Sequence, residues 1–301
     1  MVPRAEFESY YGRQIIKTPT WKTPDVPLYL FLGGLAGASA VLAEGAAVTG
    51  NAPLQRVSRL VAASGAAAGT AFLVHDLGRP ERFLHMLRVF KPTSPLSVGS
   101  FILAPFSALS SAAAASELTG RLPRLGRLAG LGAAAFGPPL ATYTAALLAN
   151  TAVPAWHEAH RELPFVFAGS GASAAGGMAL MLTPARHNRA ARRMAIAGAA
   201  VELSAAELLK RRLGMVAEPY EQGRPGRLMT TASRMTAGAA LGSWLGGRSR
   251  VVSALCGAGY VAASVITRFG VFEAGLASAR DPKYTVVPQR ERLEARRRAS
   301  A

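Results

Sequence analysis

The ionisable side chains best placed to do chemistry crowd into one stretch, Val74-His75-Asp76-Leu77-Gly78-Arg79-Pro80-Glu81-Arg82, which follows a long apolar run. His75 belongs to the one residue type whose ordinary titration falls near neutral pH. Asp76 beside it is placed to orient the imidazole or to pair with Arg79, and Gly78 supplies a turn. A lone lysine or arginine at such a boundary would only anchor a helix in lipid headgroups. An adjacent His-Asp pair followed by Arg, Glu and Arg does more: it forms a hydrogen-bonding, proton-exchanging cluster at the edge of a hydrocarbon phase. A quinone needs that combination of an apolar slot, a donor to a carbonyl and a nearby proton carrier. By helix direction, Trp21 to Tyr29, Ser97, Ser100, Tyr143 and Thr144 reach the same membrane face, so Tyr29 and Tyr143 join His75, Asp76 and Arg79 as quinone-contacting candidates.

The remaining candidates are sparse. Glu44, Glu202, Glu207 and Glu273 fall within or at the ends of apolar runs, where a carboxylate must face the bundle interior, be paired or be protonated. A proton route through Glu202 and Glu44 is the functional expectation. Pairing with Arg192, Arg193, Lys210 or Arg268 is the structural one, and it is preferred for Glu207 and Glu273. The five histidines, His75, His85, His157, His160 and His187, all sit at run ends or in loops, so no pair is placed to grip a haem iron from facing helices. His157 and His160, in the stretch WHEAH, read as a solvated loop rather than a metal site. The single cysteine, Cys256, excludes an intrachain disulfide and an iron–sulfur cluster, and reads as a packing residue.

What must position these residues is a set of membrane helices. Residues 92–116, 128–156 and 163–185 contain no Asp, Glu, Lys, Arg or His, and a helix needs about 20 apolar residues to cross the hydrocarbon core. The pattern predicts eight helices at 28–48, 57–76, 97–117, 127–149, 163–183, 192–210, 229–247 and 250–273. The predicted fold is therefore all-α and polytopic, arranged as two four-helix bundles. Residues 28–149 form the first bundle and hold the quinone site, and 150–275 form the second. A tail at 1–27 docks a partner and a basic tail at 276–301 meets anionic headgroups. A short amphipathic helix is expected within ERFLHMLRVF, turning Phe83, Leu84, Leu87 and Phe90 toward lipid or bundle. The runs GGLAGASA at 33–40 and GSGASAAGG at 169–177 read as close helix packing, since no strand–turn–helix context makes them a dinucleotide fingerprint.

The formal charge of +17 would suggest nucleic acid in a soluble protein. Here the charges lie between apolar runs, which excludes that reading. Most of the 34 Lys and Arg residues fall on the side of the two termini, which places the termini in the cytoplasm and the chain in the plasma membrane. Two other function classes remain in view. A secondary transporter would suit eight spans with intramembrane glutamates, with Pro138-Pro139 breaking a helix around its substrate. A purely structural anchor would dock a soluble complex without quinone chemistry.

The segment LFLGGLAGAS, the motif HDLGRPERFLHMLRVFKPTSPLSVGS at 75–100 and the eight-helix layout together resemble the NrfD-like (polysulfide reductase type) membrane subunits, over roughly Trp21 to Gly275. The resemblance implies a quinone-reactive anchor without haem, serving a four-cluster iron–sulfur subunit and a molybdenum- or tungsten-pterin catalytic subunit. It also implies menaquinone or ubiquinone as the bound substrate, held among the first four helices, with electrons arriving from another chain. His75, Asp76 and Arg79 match the family's polar motif, and Tyr143 matches by location. Where some members carry a histidine or asparagine at the start of the first span, this chain offers Tyr29. The N-terminal stretch MVPRAEFESYYGRQIIKTP and the phrase MLRVFKPTSP look most like anchors that accompany formate dehydrogenases.

Overall fold

The computed structural model describes residues 15–79, 81–246 and 249–299. The N-terminal residues 1–14, with Tyr10 and Tyr11 of the docking tail, lie outside the described residues, as do Pro80 and the last two residues. The described residues form helices and no strand: α1 (Asp25–Val48), α2 (Ala52–Asp76), α3 (Glu81–Met86), α4 (Pro95–Thr119), α5 (Pro123–Ala149), α6 (Pro154–Glu158), α7 (Leu163–Leu182), α8 (Arg189–Leu213), α9 (Glu218–Glu221), α10 (Gly223–Gly246), α11 (Arg250–Arg280) and α12 (Lys283–Ala299). The eight long helices expected from the sequence are present. Six of them, α1, α2, α4, α5, α7 and α11, are long and apolar enough to cross a membrane. The other two are more polar: α8 carries charges of both signs along its length, Glu202 and Glu207 among them, and α10 sets Arg234 among glycines, serines and threonines. The chain is an all-α, multi-pass membrane protein.

Local chemistry sets the helix ends. The Asn51 side chain accepts from the Leu54 amide to cap α2, and its Nδ2 donates to the His187 carbonyl at 2.7 Å, tying two loops on one face. Ser94 caps α4 and Ser249 caps α11, and prolines occupy the first turns of α2, α4, α5 and α7. Gly120 closes α4 at φ 67°, a left-handed conformation that glycine adopts without a Cβ penalty. Pro138 and Pro139 do not break α5, which runs on to Ala149. The interruption expected of a transporter helix is absent from this span.

The helices α1, α2, α4 and α5 pack on one another, as do α7, α8, α10 and α11, while α1 also lies against α7 and α11. Buried along most of its length, α1 is the central element. Its glycines permit that position. A Cβ on Gly137 would lie 2.5 Å from the Gly37 carbonyl oxygen, and one on Gly171 would lie 2.8 Å from that of Gly34. The glycine runs thus serve close backbone approach, as their composition implied.

Short connections force the long helices to alternate direction. The terminal face collects the start of α1, the end of α2, the start of α4, the end of α5, the 150–162 segment and α12. The opposite face collects the tight turns at 49–51, 120–122 and 183–188. The amphipathic helix expected near residues 81–90 forms only over α3 and buries none of its residues; Leu84 and Phe90 are exposed, while Phe83 packs against the core. Nor is the basic C-terminal segment a free tail. Lys283 Nζ and the Tyr284 hydroxyl both donate to Glu218 Oε2, at 2.7 and 3.2 Å, and Arg292 reaches Glu158 at 2.9 Å. These bonds hold α12 across the terminal face. The hydrogen bond from Lys283 pulls the Glu218 carboxyl below its ordinary range, and the same bond pushes the Lys283 ammonium up.

Candidate functional site

At the terminal face, the structure pairs His75 with a residue that sequence reasoning did not single out. His75 Nδ1 lies 2.7 Å from Oδ2 of Asp25, in the first turn of α1. Asp25 is buried, whereas the His75 side chain is 75 % exposed, so the imidazole is held from behind and open in front. Asp76 neither orients His75 nor pairs with Arg79. Its Oδ1 accepts from the Lys22 backbone amide at 3.0 Å, while Lys22 Nζ donates to the His75 carbonyl at 3.4 Å. The reason is directional: on a helix, adjacent side chains diverge, so His75 and Asp76 find separate partners on the N-terminal segment. Arg79 is exposed beyond the helix end. Tyr29 is buried one turn deeper in α1, near Gly69 of α2.

Tyr143, in the last turns of α5, is 8 % exposed and lies against α4 at Gly99, where any Cβ would overlap its ring. Its far side lines a cleft of about 520 Å³, together with Pro92, Pro95, Val98, Ala146, Asn150, His157 and His160. That volume falls in the range of small-molecule sites, which span roughly 300–1,000 Å³. Of the five sequence candidates, only Tyr143 lines this cleft; His75, Asp76, Arg79 and Tyr29 stand around the neighbouring α1–α2 end.

The WHEAH stretch, where His157 and His160 were expected to lie in a solvated loop, is half built into the protein. Trp156 is fully buried, donates to the Val271 carbonyl at 2.8 Å and stacks on Trp21 with centroids 5.6 Å apart. His157, His160 and Arg161 remain outside, while Glu162 is buried. The apolar surface of the tryptophan outweighs the polarity around it, a signal the WHEAH spacing concealed.

The acidic residues acquire definite partners. Glu44 Oε1 accepts from Arg59 Nη2 at 2.7 Å, and Arg59 Nη1 reaches Glu117 at 3.2 Å, linking α1, α2 and α4. Gly130 of α5 leaves room for the pair, and an open cleft of about 500 Å³ borders it at the opposite face. Glu202 is buried, accepts from the Thr267 hydroxyl at 2.8 Å and stands within electrostatic reach of Arg268. Arg268 is fully buried, donates to the Phe167 carbonyl at 3.0 Å and sits 3.9 Å above that residue's ring. No hydrogen bond links the Glu44 and Glu202 clusters among the described residues. Glu207 pairs with Arg211 and Glu273 with Arg224, so both are bound as expected, though by other cations. Among the described residues no group of three or more His, Cys, Asp or Glu is placed to hold a metal ion.

The sequence matches the family described as "Polysulphide reductase, NrfD" over residues 16–209. The chain belongs to the NrfD family. No curated protein matches it. The matched region covers the first four long helices, α7 and most of α8, and so includes the His75–Asp25 pair, the Tyr143 cleft and the Glu44–Arg59–Glu117 cluster; of the second acid cluster it includes Glu202 but not Thr267 or Arg268. For this NrfD chain, membership implies a membrane subunit of an oxidoreductase complex. NrfD proteins generally associate with iron–sulfur and molybdopterin oxidoreductase subunits.

Proposed function

We propose that this chain is the quinone-reactive subunit of its complex, passing electrons between a partner iron–sulfur subunit and menaquinone or ubiquinone. The observation that carries the reading is the terminal face. There an apolar cleft beside Tyr143 lies on the same side as an exposed imidazole backed by a buried carboxylate. Such a face offers a slot for the ring and, beside it, an exposed imidazole able to relay protons between the site and water. With a single cysteine, the chain cannot build a thiolate cluster, so the electrons belong to the partner.

On this reading the partner is a four-cluster iron–sulfur protein serving a molybdenum- or tungsten-pterin enzyme, and the N-terminal resemblance favours formate dehydrogenase. The complex sits in the plasma membrane, and the basic terminal face is cytoplasmic. Glu44 and Glu202 supply proton-exchanging carboxylates deeper in the protein. The test is quinol-dependent reduction of the iron–sulfur clusters in the purified complex. His75→Ala is expected to slow it about tenfold or more. A complex in which quinol reduces no cluster overturns the proposal, and solute flux through liposomes bearing the chain alone would favour a transporter instead.

A further inference from the structure

The cleft beside Tyr143 contains two histidines that neither the family resemblance nor the His75 cluster assigns. His157 Nδ1 lies 3.0 Å from the Ala149 carbonyl oxygen, and His160 Nδ1 lies 3.0 Å from that of His157. A backbone carbonyl only accepts, so each Nδ1 must carry its hydrogen. In the neutral rings each Nε2 is therefore left as a lone-pair acceptor. Both rings line the cleft, with centroids 6.4 Å apart.

Their position is imposed from several directions. The Ala155 amide donates to Ser278 Oγ at 3.2 Å, and the Tyr220 hydroxyl donates to the Ala155 carbonyl at 2.9 Å. Trp156 is locked against α11, where Gly275 leaves space for its indole. Arg212 clamps Glu162 at 2.7 Å and also donates to the Glu158 carbonyl. The carboxylates nearest the histidines, Glu158 and Glu162, are thus engaged by Arg292 and Arg212, and neither lines the cleft. The second half of the chain holds a histidine pair at the mouth of a cleft in the first half.

We infer that His157 and His160 are the proton acceptors for a hydroquinone bound beside Tyr143. This inference rests on the quinone reading above and deepens it. Oxidation of the hydroquinone breaks two O–H bonds and yields the quinone, two protons and two electrons. The electrons leave singly to the iron–sulfur clusters of the partner subunit. Each proton passes to one Nε2, making an imidazolium that its Nδ1–H···O=C bond holds in place. Quinone reduction runs the same transfers backward. The apolar walls from Pro92, Pro95, Val98 and Ala146 face the ring, while Tyr143 and Asn150 supply polar contacts at its edge.

The test exploits the difference between the two ring nitrogens. Asparagine places an amide N–H near the position of Nδ1 and lacks the Nε2 acceptor, so His157→Asn and His160→Asn preserve the backbone tie and delete the base. In the purified complex, the double variant is expected to lose about 10²-fold in quinol-dependent cluster reduction, the scale of one lost general base. Affinity for a hydroxyquinoline N-oxide quinone analogue, read by fluorescence quenching, stays within about threefold of the parent, and added imidazole restores part of the rate. A rate within about twofold of the parent overturns the inference, and so does a rate loss that follows lost analogue affinity without imidazole rescue. Failure of the parent complex to show any quinol-dependent reduction would instead overturn the quinone reading itself.

Discussion

Asp25 in the first turn of α1 and His75 in the last turn of α2 meet at 2.7 Å, although 50 residues separate them. The carboxylate is buried and the imidazole exposed, so the acid fixes the tautomer and direction of a ring whose outer nitrogen remains available. Asp25→Asn keeps the shape and removes the charge. It is expected to reduce quinol-dependent turnover about tenfold or more, whereas Asp76→Asn, whose parent carboxylate receives a backbone amide, costs less. Steady-state assays on the two variants check the order. An Asp76→Asn defect larger than that of Asp25→Asn would assign the orienting role wrongly.

Gly99 gives the Tyr143 ring its resting place. Gly99→Ala must push the ring or the helix aside, with overpacking costing about 1–3 kcal/mol. Because Tyr143 also lines the cleft, the expected outcome is weakened quinone-analogue binding together with a lower melting temperature.

The crossing of α1 and α5 leaves no room for a side chain at Gly37, where a Cβ would overlap the Gly137 carbonyl. Gly37→Ala is expected to destabilise the protein by about 1–3 kcal/mol. Thermal unfolding in detergent measures it. Gly45→Ala is the control, since nothing lies within 4 Å of a Cβ there.

Arg59 stands between Glu44 and Glu117 and is 7 % exposed. Arg59→Met leaves the Glu44 carboxylate buried without its cation, a change that costs about 3–5 kcal/mol. Adding Glu44→Gln removes the stranded charge and is expected to recover most of that loss. Unfolding curves for the single and double variants give the coupling directly.

Attachment of α12 depends on pH through the Glu218–Lys283 pair. The hydrogen bond from Lys283 lowers the Glu218 pKa from its ordinary 4.5, so the tie is fully present above that value. It is lost as pH falls through the lowered pKa, because the protonated acid no longer attracts the ammonium. The hydrogen bond from Glu218 raises the Lys283 pKa above its ordinary 10.5, so on the alkaline side the tie persists beyond that value. Limited proteolysis of residues 283–299 across this range should show protection at neutral pH and release in acid. Glu218→Gln should release the helix at neutral pH as well.

Much of the architecture was legible in the sequence because bilayer helices are specified locally. Apolar length, caps at Asn51, Ser94 and Ser249, and prolines in first turns fix where each helix runs without reference to the others. The small residues of α1 and α7 announced close packing for the same reason. The motif at 75–82 likewise marked the end of α2 as a concentration of ionisable residues.

The sequence alone determined that the chain is a bundle of membrane helices with a polar cluster closing the second. Only the tertiary structure decided which charges meet. His75 takes Asp25 rather than its neighbour Asp76, Glu44 takes Arg59, and Glu273 takes Arg224. With 34 Lys and Arg residues in the chain, each acid had many possible cations, and helix crossing alone selects among them. The histidine pair at 157 and 160 depended on the same thing. Its spacing is readable, but its place beside Tyr143 exists only because α8, α9, α11 and α12 pin the intervening segment. Helix formation reads neighbours along the chain, whereas pairing and cleft formation read neighbours across space.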